Sequence, residues 1–233
     1  MKKKILILIC AKGKSSEVKN KNLVKFKKKT LVEHSIDHAK KLKKSLNGEV
    51  MIVVSTESKK IANIAKKSGA LIPFMRPSNL SNKTSPELNV WKHALLYLKQ
   101  KKIFDPEIIC SLPPTSPFRQ TKDVIKCFRK FNNNNYDLVL TVHKSKNNPY
   151  FNMLERNKKG KFVVPKTMHK QIFVRQKSPK VYSINTVAYV AKVPFIIKTK
   201  NLLNGKLGVQ EIEERFSLDI DSNYDVKIMK LLQ

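Results

Sequence analysis

Two stretches of the chain carry residues whose types and spacing could do chemistry. The first is Ala11-Lys12-Gly13-Lys14-Ser15-Ser16, which runs on to Lys21-Asn22 and follows at once on an apolar run, Ile5-Leu6-Ile7-Leu8-Ile9-Cys10. A buried strand that opens into a small, lysine-rich loop with a glycine can hold a polyphosphate. Backbone N–H groups and hydroxyls approach the oxygens while ammonium groups offset their charge. Neither a Walker A pattern nor G-x-G-x-x-G is present, so the loop carries no common label. The second stretch is Asp219-Ile220-Asp221. In an extended segment both carboxylates project to one side. With phosphates and water they would suit Mg²⁺, which takes few protein ligands. The plainer alternative is turn and cap use ahead of the last helix.

Smaller polar groups follow other apolar runs: Ser55-Thr56-Glu57, Arg76-Pro77, and Thr115-Ser116 with Arg119. His34 and His38 stand at i, i+4, a spacing open to a metal but expected on a solvated helix face, and His93 is expected to pack. No Ser/His/Asp or Cys/His arrangement supports a hydrolase.

The elements that must position these groups read as an alternation. Apolar runs at 5–10, 50–54, 70–74, 107–112 and 137–142 predict buried strands. Between them, apolar residues at helical spacing predict helices over about 31–46, 58–68, 86–101 and 121–132, with Thr30 as a cap. Strands alternating with helices imply an α/β fold, a mostly parallel sheet with helices on both faces. Ligands in such sheets bind outside the carboxyl ends of the strands, where the polar groups above fall. The rhythm breaks over 144–182, an irregular segment rich in Lys, Asn and Pro, and an excursion of that kind serves as a lid, an oligomer arm or a substrate wall. It resumes with a strand at 187–190, a helix near 194–199, a possible edge strand at 207–212 and a helix capped by Ser222.

Size and charge bound the reading. At 233 residues one domain with a sizeable excursion is expected. The net charge of +31, from 48 Lys+Arg against 17 Asp+Glu, favours anionic partners. The lysines spread over the whole length and the aromatics do not interleave with them, so a nucleic-acid partner is not expected. The three cysteines form no C-x-x-C pair and read as small core residues. No segment approaches the ~20 apolar residues of a membrane span. A cytoplasmic protein without a membrane partner is the expectation.

Taken in order, these motifs resemble the acylneuraminate cytidylyltransferase family, the CMP-sialic acid synthetases, over nearly the full length. Ala11, Gly13, Ser15, Lys21 and Asn22 match its first motif, with Lys12 where that family has arginine, Lys14 for a second glycine and Ser16 for a lysine. Val53-Val54-Ser55-Thr56-Glu57 matches a Val-Val-Ser-Thr-Asp segment. Arg76-Pro77 with Leu80 matches Arg-Pro-x-x-Leu, Lys83 replacing an aspartate further on. Leu112-Pro113-Pro114-Thr115-Ser116-Pro117-Phe118-Arg119 is similar to Leu-Gln-Pro-Thr-Ser-Pro-Leu-Arg. Arg175-Gln176, Pro179, Tyr182, Asn185 and Tyr189 follow an Arg-Gln … Pro … Tyr … Asn-Gly-Ala-x-Tyr segment, with Thr186 for the glycine. Asp219-Ile220-Asp221 fits the family's Asp-Ile-Asp.

The resemblance implies a single Rossmann-like nucleotidyltransferase domain over 1–233, with 144–185 as an inserted dimerisation and sugar-binding arm. It implies CTP, Mg²⁺ and an acidic nine-carbon 2-keto sugar as partners, and a homodimer. Lys21 and Asp221 would be catalytic. Ala11, Lys12, Gly13, Ser15, Lys21, Asn22 and Arg76 would bind nucleotide. Thr115, Ser116, Arg175, Tyr182 and Asn185 would bind the sugar, and Asp219 and Asp221 the metal. Pro113 lacks the amide of the family's glutamine, which points to a legionaminic or pseudaminic type of sugar acid rather than sialic acid itself. The rival readings are a non-catalytic descendant that binds nucleotide or polyanion through its basic surface, and a CMP-Kdo synthetase. Lys21-Asn22 argues against the latter, whose members carry Lys-Pro there.

Overall fold

A computed structural model describes residues 2–82, 84–167 and 174–232. Lys83 lies outside them, as does part of the expected arm. The strands are β1 (Lys4–Cys10), β2 (Lys25–Phe26), β3 (Lys29–Thr30), β4 (Glu49–Ser55), β5 (Ile108–Ser111), β6 (Leu138–Lys144), β7 (Glu155–Arg156), β8 (Phe162–Val163), β9 (Tyr182–Lys192) and β10 (Leu207–Glu211). The helices are α1 (Leu31–Ser45), α2 (Lys59–Lys67), α3 (Glu87–Gln100), α4 (Thr121–Asn133), α5 (Val193–Lys198) and α6 (Asn223–Leu231).

Six strands form the central sheet in the order β10-β6-β9-β5-β1-β4. β9 runs antiparallel to both its neighbours, and the other pairings are parallel. The α/β architecture with a mostly parallel sheet is therefore as the alternation predicts.

The apolar run of β1 explains why the sheet needs cover on both sides. Ile5, Ile7 and Ile9 belong to the core shared with Ile36 and Ala39 of α1 and Phe128 of α4. Leu6 and Leu8 pack with Trp91 and Leu95 of α3 and Ile196 of α5. Alternate side chains thus enter opposite layers, each contributing about 1.5–3 kcal/mol relative to exposure.

One expected strand does not form. Residues 70–74 make a single parallel bridge, Leu71 to Val53, and then leave the sheet edge. Leu71 is 51 % exposed there, so its apolar run lacks the second neighbour that would extend it. Instead the chain turns back, Arg76 N–H donating to Thr56 O, and brings Arg76 to the end of β4.

The excursion is closed at its base by Ser145 N–H to Val181 O and by the Asn148 amide, which donates to Pro179 O. It carries the β7–β8 hairpin, whose turn uses Gly160 at φ 77°. Leu154 and Phe162 on it are exposed.

A third, smaller core holds the last motif in place. Ile220 is fully buried with Phe26, Leu31 and Met229, and its N–H donates to Thr115 O. α6 then starts in a capping box: Ser222 Oγ accepts from Asp225 N–H, and Asp225 Oδ2 accepts from Ser222 N–H. The cap role considered for this stretch is taken by Ser222 and Asp225, which leaves Asp219 and Asp221 for other work.

Candidate active site

The loop after β1 folds over the carboxyl end of the sheet. Ala11 N–H bonds Ser55 O, and the buried Asn22 amide donates to Lys12 O across ten residues, cinching the loop. Lys12, Ser15 and Lys21 line a cleft of about 220 Å³ together with Asp221. Gly13 is held by packing: a Cβ there would stand 2.8 Å from that of Ser58. Its N–H donates to Glu57 Oε1 at 2.7 Å, which ties the loop to the segment after β4.

Lys21 Nζ meets Asp221 Oδ1 at 2.7 Å across the mouth of this cleft. Asp219, two residues earlier, lines a neighbouring cleft with His143 and Ser217. Its Oδ1 is buried without a hydrogen-bond partner among the described residues. Burial raises its carboxyl above the usual range, the Thr115 hydroxyl opposes that shift, and the Asp221 charge adds to it. Thr186 supplies a second hydroxyl toward the same carboxylate. It also bonds Ser116 Oγ at 2.8 Å and meets Thr115 Oγ1 at 3.3 Å. The register of β9 on β6 slips between Leu140 and Val142, and this irregularity lies where β9 passes Asn185 and Thr186.

Three predicted residues are used differently from the sequence expectation. Arg119, placed on the polar rim, is fully buried and donates to Val187 O, Pro113 O and Ser35 Oγ. It ties α1, the loop after β5 and β9 together behind the hydroxyl cluster. Arg76 is also buried, its Nε donating to Ser55 Oγ at 3.1 Å and a terminal nitrogen to Ser55 O. Asn185 is buried in the sheet, its Oδ1 accepting from Thr141 Oγ1 and Val187 N–H. Its Nδ2 has no partner among the described residues.

Thr115 faces Asp219, while Ser116 bonds Thr186, which faces it too. Tyr182 stands at the start of β9, exposed and paired with Lys144. Arg175 opens a single 3₁₀ turn, Arg175–Lys177, and its side chain lies outside the described residues.

His34 and His38 are half-buried and do not stand on a fully solvated face. His34 Nε2 lies 2.6 Å from Phe26 O, and His38 is half-buried 3.4 Å from Thr121 Oγ1, its pKa lowered to about 3 by burial and by the Arg119 charge. His93 packs edge-on against Phe74, as expected.

Sequence reading missed Glu87. It opens α3, and its Oε1 accepts from Trp91 Nε1 at 3.0 Å and from Ser111 Oγ at 3.4 Å. It faces a cleft of about 380 Å³, walled by Leu88, Leu140, Leu202 and Leu203. Although the residue is exposed at the helix start, desolvation by neighbouring protein raises its carboxyl above the usual range, opposed by the Trp91 and Ser111 bonds. Tyr189 lines the same cleft, and its hydroxyl, pushed up to about 12 by burial, feels both Glu87 and Asp219. The available signal was rarity, one of 17 acids at a helix start, where a carboxylate reads as ordinary dipole compensation.

The two carboxylates fit Mg²⁺. One oxygen of Asp219 is buried without a partner among the described residues, and Asp221 stands two residues on, so the chain would supply two carboxylates. That leaves most positions to phosphate and water, as Mg²⁺ prefers.

The family model described as Cytidylyltransferase matches residues 6–231. The chain belongs to the cytidylyltransferase family. It is 33% identical over 228 residues to post-translational flagellin modification protein B of Campylobacter coli, covering 98% of this chain and 94% of that protein. It is also 33% identical over 231 residues to the CMP-N,N'-diacetyllegionaminic acid synthase of Campylobacter jejuni, with the same coverage. Among solved structures, a CMP:2-keto-3-deoxy-manno-octonic acid synthetase complexed with CTP aligns with a TM-score of 0.70 over 98% of both chains at 12% identity, a likeness of fold. Members of this family are nucleotidyltransferases, and so is this cytidylyltransferase. Among its described residues no helix is long and apolar enough to cross a membrane.

Proposed function

We propose that this cytidylyltransferase joins CTP to an acidic nine-carbon 2-keto sugar, of legionaminic or pseudaminic type, releasing pyrophosphate. The observation that carries the reading is the meeting of Lys21 and Asp221 beside the unpartnered Oδ1 of Asp219. The triphosphate lies along Lys12, Ser15 and Lys21, whose charges offset those of its oxygens. The sugar's anomeric hydroxyl gives up its proton to solvent as its oxygen attacks the α-phosphorus, the bond to the β-phosphate oxygen breaks, and pyrophosphate leaves. Lys21 leaves Asp221 for the α-phosphate. Asp219 and Asp221 would hold Mg²⁺, which would supply charge neutralisation at the phosphoryl oxygens. Thr115, Ser116 and Thr186 keep the Asp219 carboxylate turned toward that position. The leucine-walled cleft beside Tyr189 receives the body of the sugar. Printed names of relatives support the sugar class: two CMP-N,N'-diacetyllegionaminic acid synthases and several pseudaminic acid cytidylyltransferases are similar to this chain.

The exposed Leu154 and Phe162 of the excursion support its assignment as the arm of a homodimer, with Arg175 and Tyr182 serving the sugar carboxylate. The test is pyrophosphate release from CTP with a panel of nonulosonic acids, with and without chelator. Chelator-sensitive release with an acetamido sugar acid is expected. No pyrophosphate release with any sugar, together with salt-sensitive binding to any polyanion and no preference for CTP, would replace the reading with the non-catalytic one.

A further inference from the structure

Glu87 is a carboxylate that the chemistry above does not use, and its surroundings say what it could do. One oxygen is pinned by Trp91 Nε1 and Ser111 Oγ, and Trp91 is fully buried, so the side chain has little freedom. The carboxyl opens on the leucine-walled cleft that also holds Tyr189. Tyr189 lies within electrostatic reach of both Glu87 and Asp219, so the cleft adjoins the chemistry.

A fixed negative charge in the path of an anionic sugar has two consequences. It repels the sugar's own carboxylate, which turns from Glu87 toward lysine: Lys200 lines this cleft as well, and Lys12 and Lys21 line the one by Asp221. It also favours a neutral hydrogen-bond donor at the opposite end of the sugar, since a carboxylate only accepts. The walls formed by Leu140, Leu202 and their neighbours favour methyl groups over hydroxyls at that end. A substituent with an N–H and a methyl in reach of both is an acetamido group.

Resting on the sugar-acid reading above, we infer that Glu87 is a specificity-determining residue: its carboxylate accepts the N–H of an acylamino group on the far end of the sugar while the leucine walls take the acyl methyl.

Glu87→Gln tests this cleanly. The glutamine oxygen can still accept from Trp91 and Ser111, leaving an NH₂ donor where the cleft had an acceptor. With a sugar acid carrying two acetamido groups, KM for the sugar should rise about tenfold or more, the worth of one charge-assisted hydrogen bond, while KM for CTP stays within about twofold. With the analogue that has hydrogen in place of the far acetamido group, wild type and Glu87→Gln should differ little. A rise in KM for CTP with the sugar's unmoved would show that Glu87 reads the nucleotide and would overturn the inference, as would unchanged constants for both. Equilibrium titration of the two sugar acids into CTP-loaded wild type and Glu87→Gln decides separately from turnover. If neither protein releases pyrophosphate, the sugar-acid reaction fails, and equal affinities of the two proteins still sink the role of Glu87.

Discussion

Lys21 Nζ and Asp221 Oδ1 lie 2.7 Å apart although 200 residues separate them in the chain. The lysine is mostly covered, with 17% of its side chain exposed, and the aspartate is 65% exposed. The pair therefore joins the first loop to the last motif at the rim of the sheet, with each partner satisfying the other's charge.

That geometry separates function from stability. An ion pair with one exposed partner contributes about 0–1 kcal/mol. Asp221→Asn and Lys21→Ala should leave the urea midpoint nearly unchanged while lowering turnover by roughly a hundredfold or more, the scale of a lost group that offsets transition-state charge. Turnover within a few fold of wild type in Asp221→Asn would remove Asp221 from the metal site.

Thr186 offers a finer test, because its hydroxyl faces Asp219 while bonding Ser116. Thr186→Val keeps the shape and deletes the hydroxyl. The Mg²⁺ concentration for half-maximal turnover should rise about tenfold, in the range seen when a group orienting a metal ligand is lost. A lower rate at unchanged Mg²⁺ dependence would mean that Thr186 acts on the sugar instead.

Arg119 is expected to matter for folding. Its removal orphans the buried carbonyls of Val187 and Pro113, at about 1–3 kcal/mol each. Arg119→Met should accordingly lower stability by roughly 3 kcal/mol in denaturant titration, with the remaining folded fraction still binding CTP. A midpoint unchanged from wild type would contradict the bonding described here.

His38 makes stability depend on pH. Burial and the Arg119 charge hold its folded pKa at about 3, against 6.5 for the free side chain. Below pH 6.5 the unfolded chain takes a proton that the folded chain refuses, so the stability present above 6.5 is lost as the pH falls toward 3. Comparing urea midpoints at neutral pH and near pH 5, His38→Gln should show a smaller drop than wild type. An equal drop would assign the acid sensitivity to other groups.

Much of this was decided by the sequence. The continuous run 5–10 could only be a strand covered on both faces, because a one-sided strand would alternate apolar and polar residues. The polar loop after it, the Asp-Ile-Asp spacing and their order along the chain carried the family and marked Lys21 and Asp221. Ile220, apolar between two carboxylates, already required one side of that segment to be buried. Local patterns of this kind depend on period and burial, which neighbours in sequence reveal.

Tertiary structure decided what local pattern cannot carry. Residues 70–74 look like a strand, but a strand needs a partner on the sheet, and only Leu71 found one. Arg119 and Arg76 follow apolar runs just as rim arginines would, yet carbonyls from distant segments drew them inward. Whether an arginine meets a ligand or the backbone depends on acceptors brought together by folding. Glu87 became visible only when Trp91, Ser111 and Tyr189, up to a hundred residues away, closed around it. A carboxylate's role is set by its surroundings, and those are assembled by the sheet.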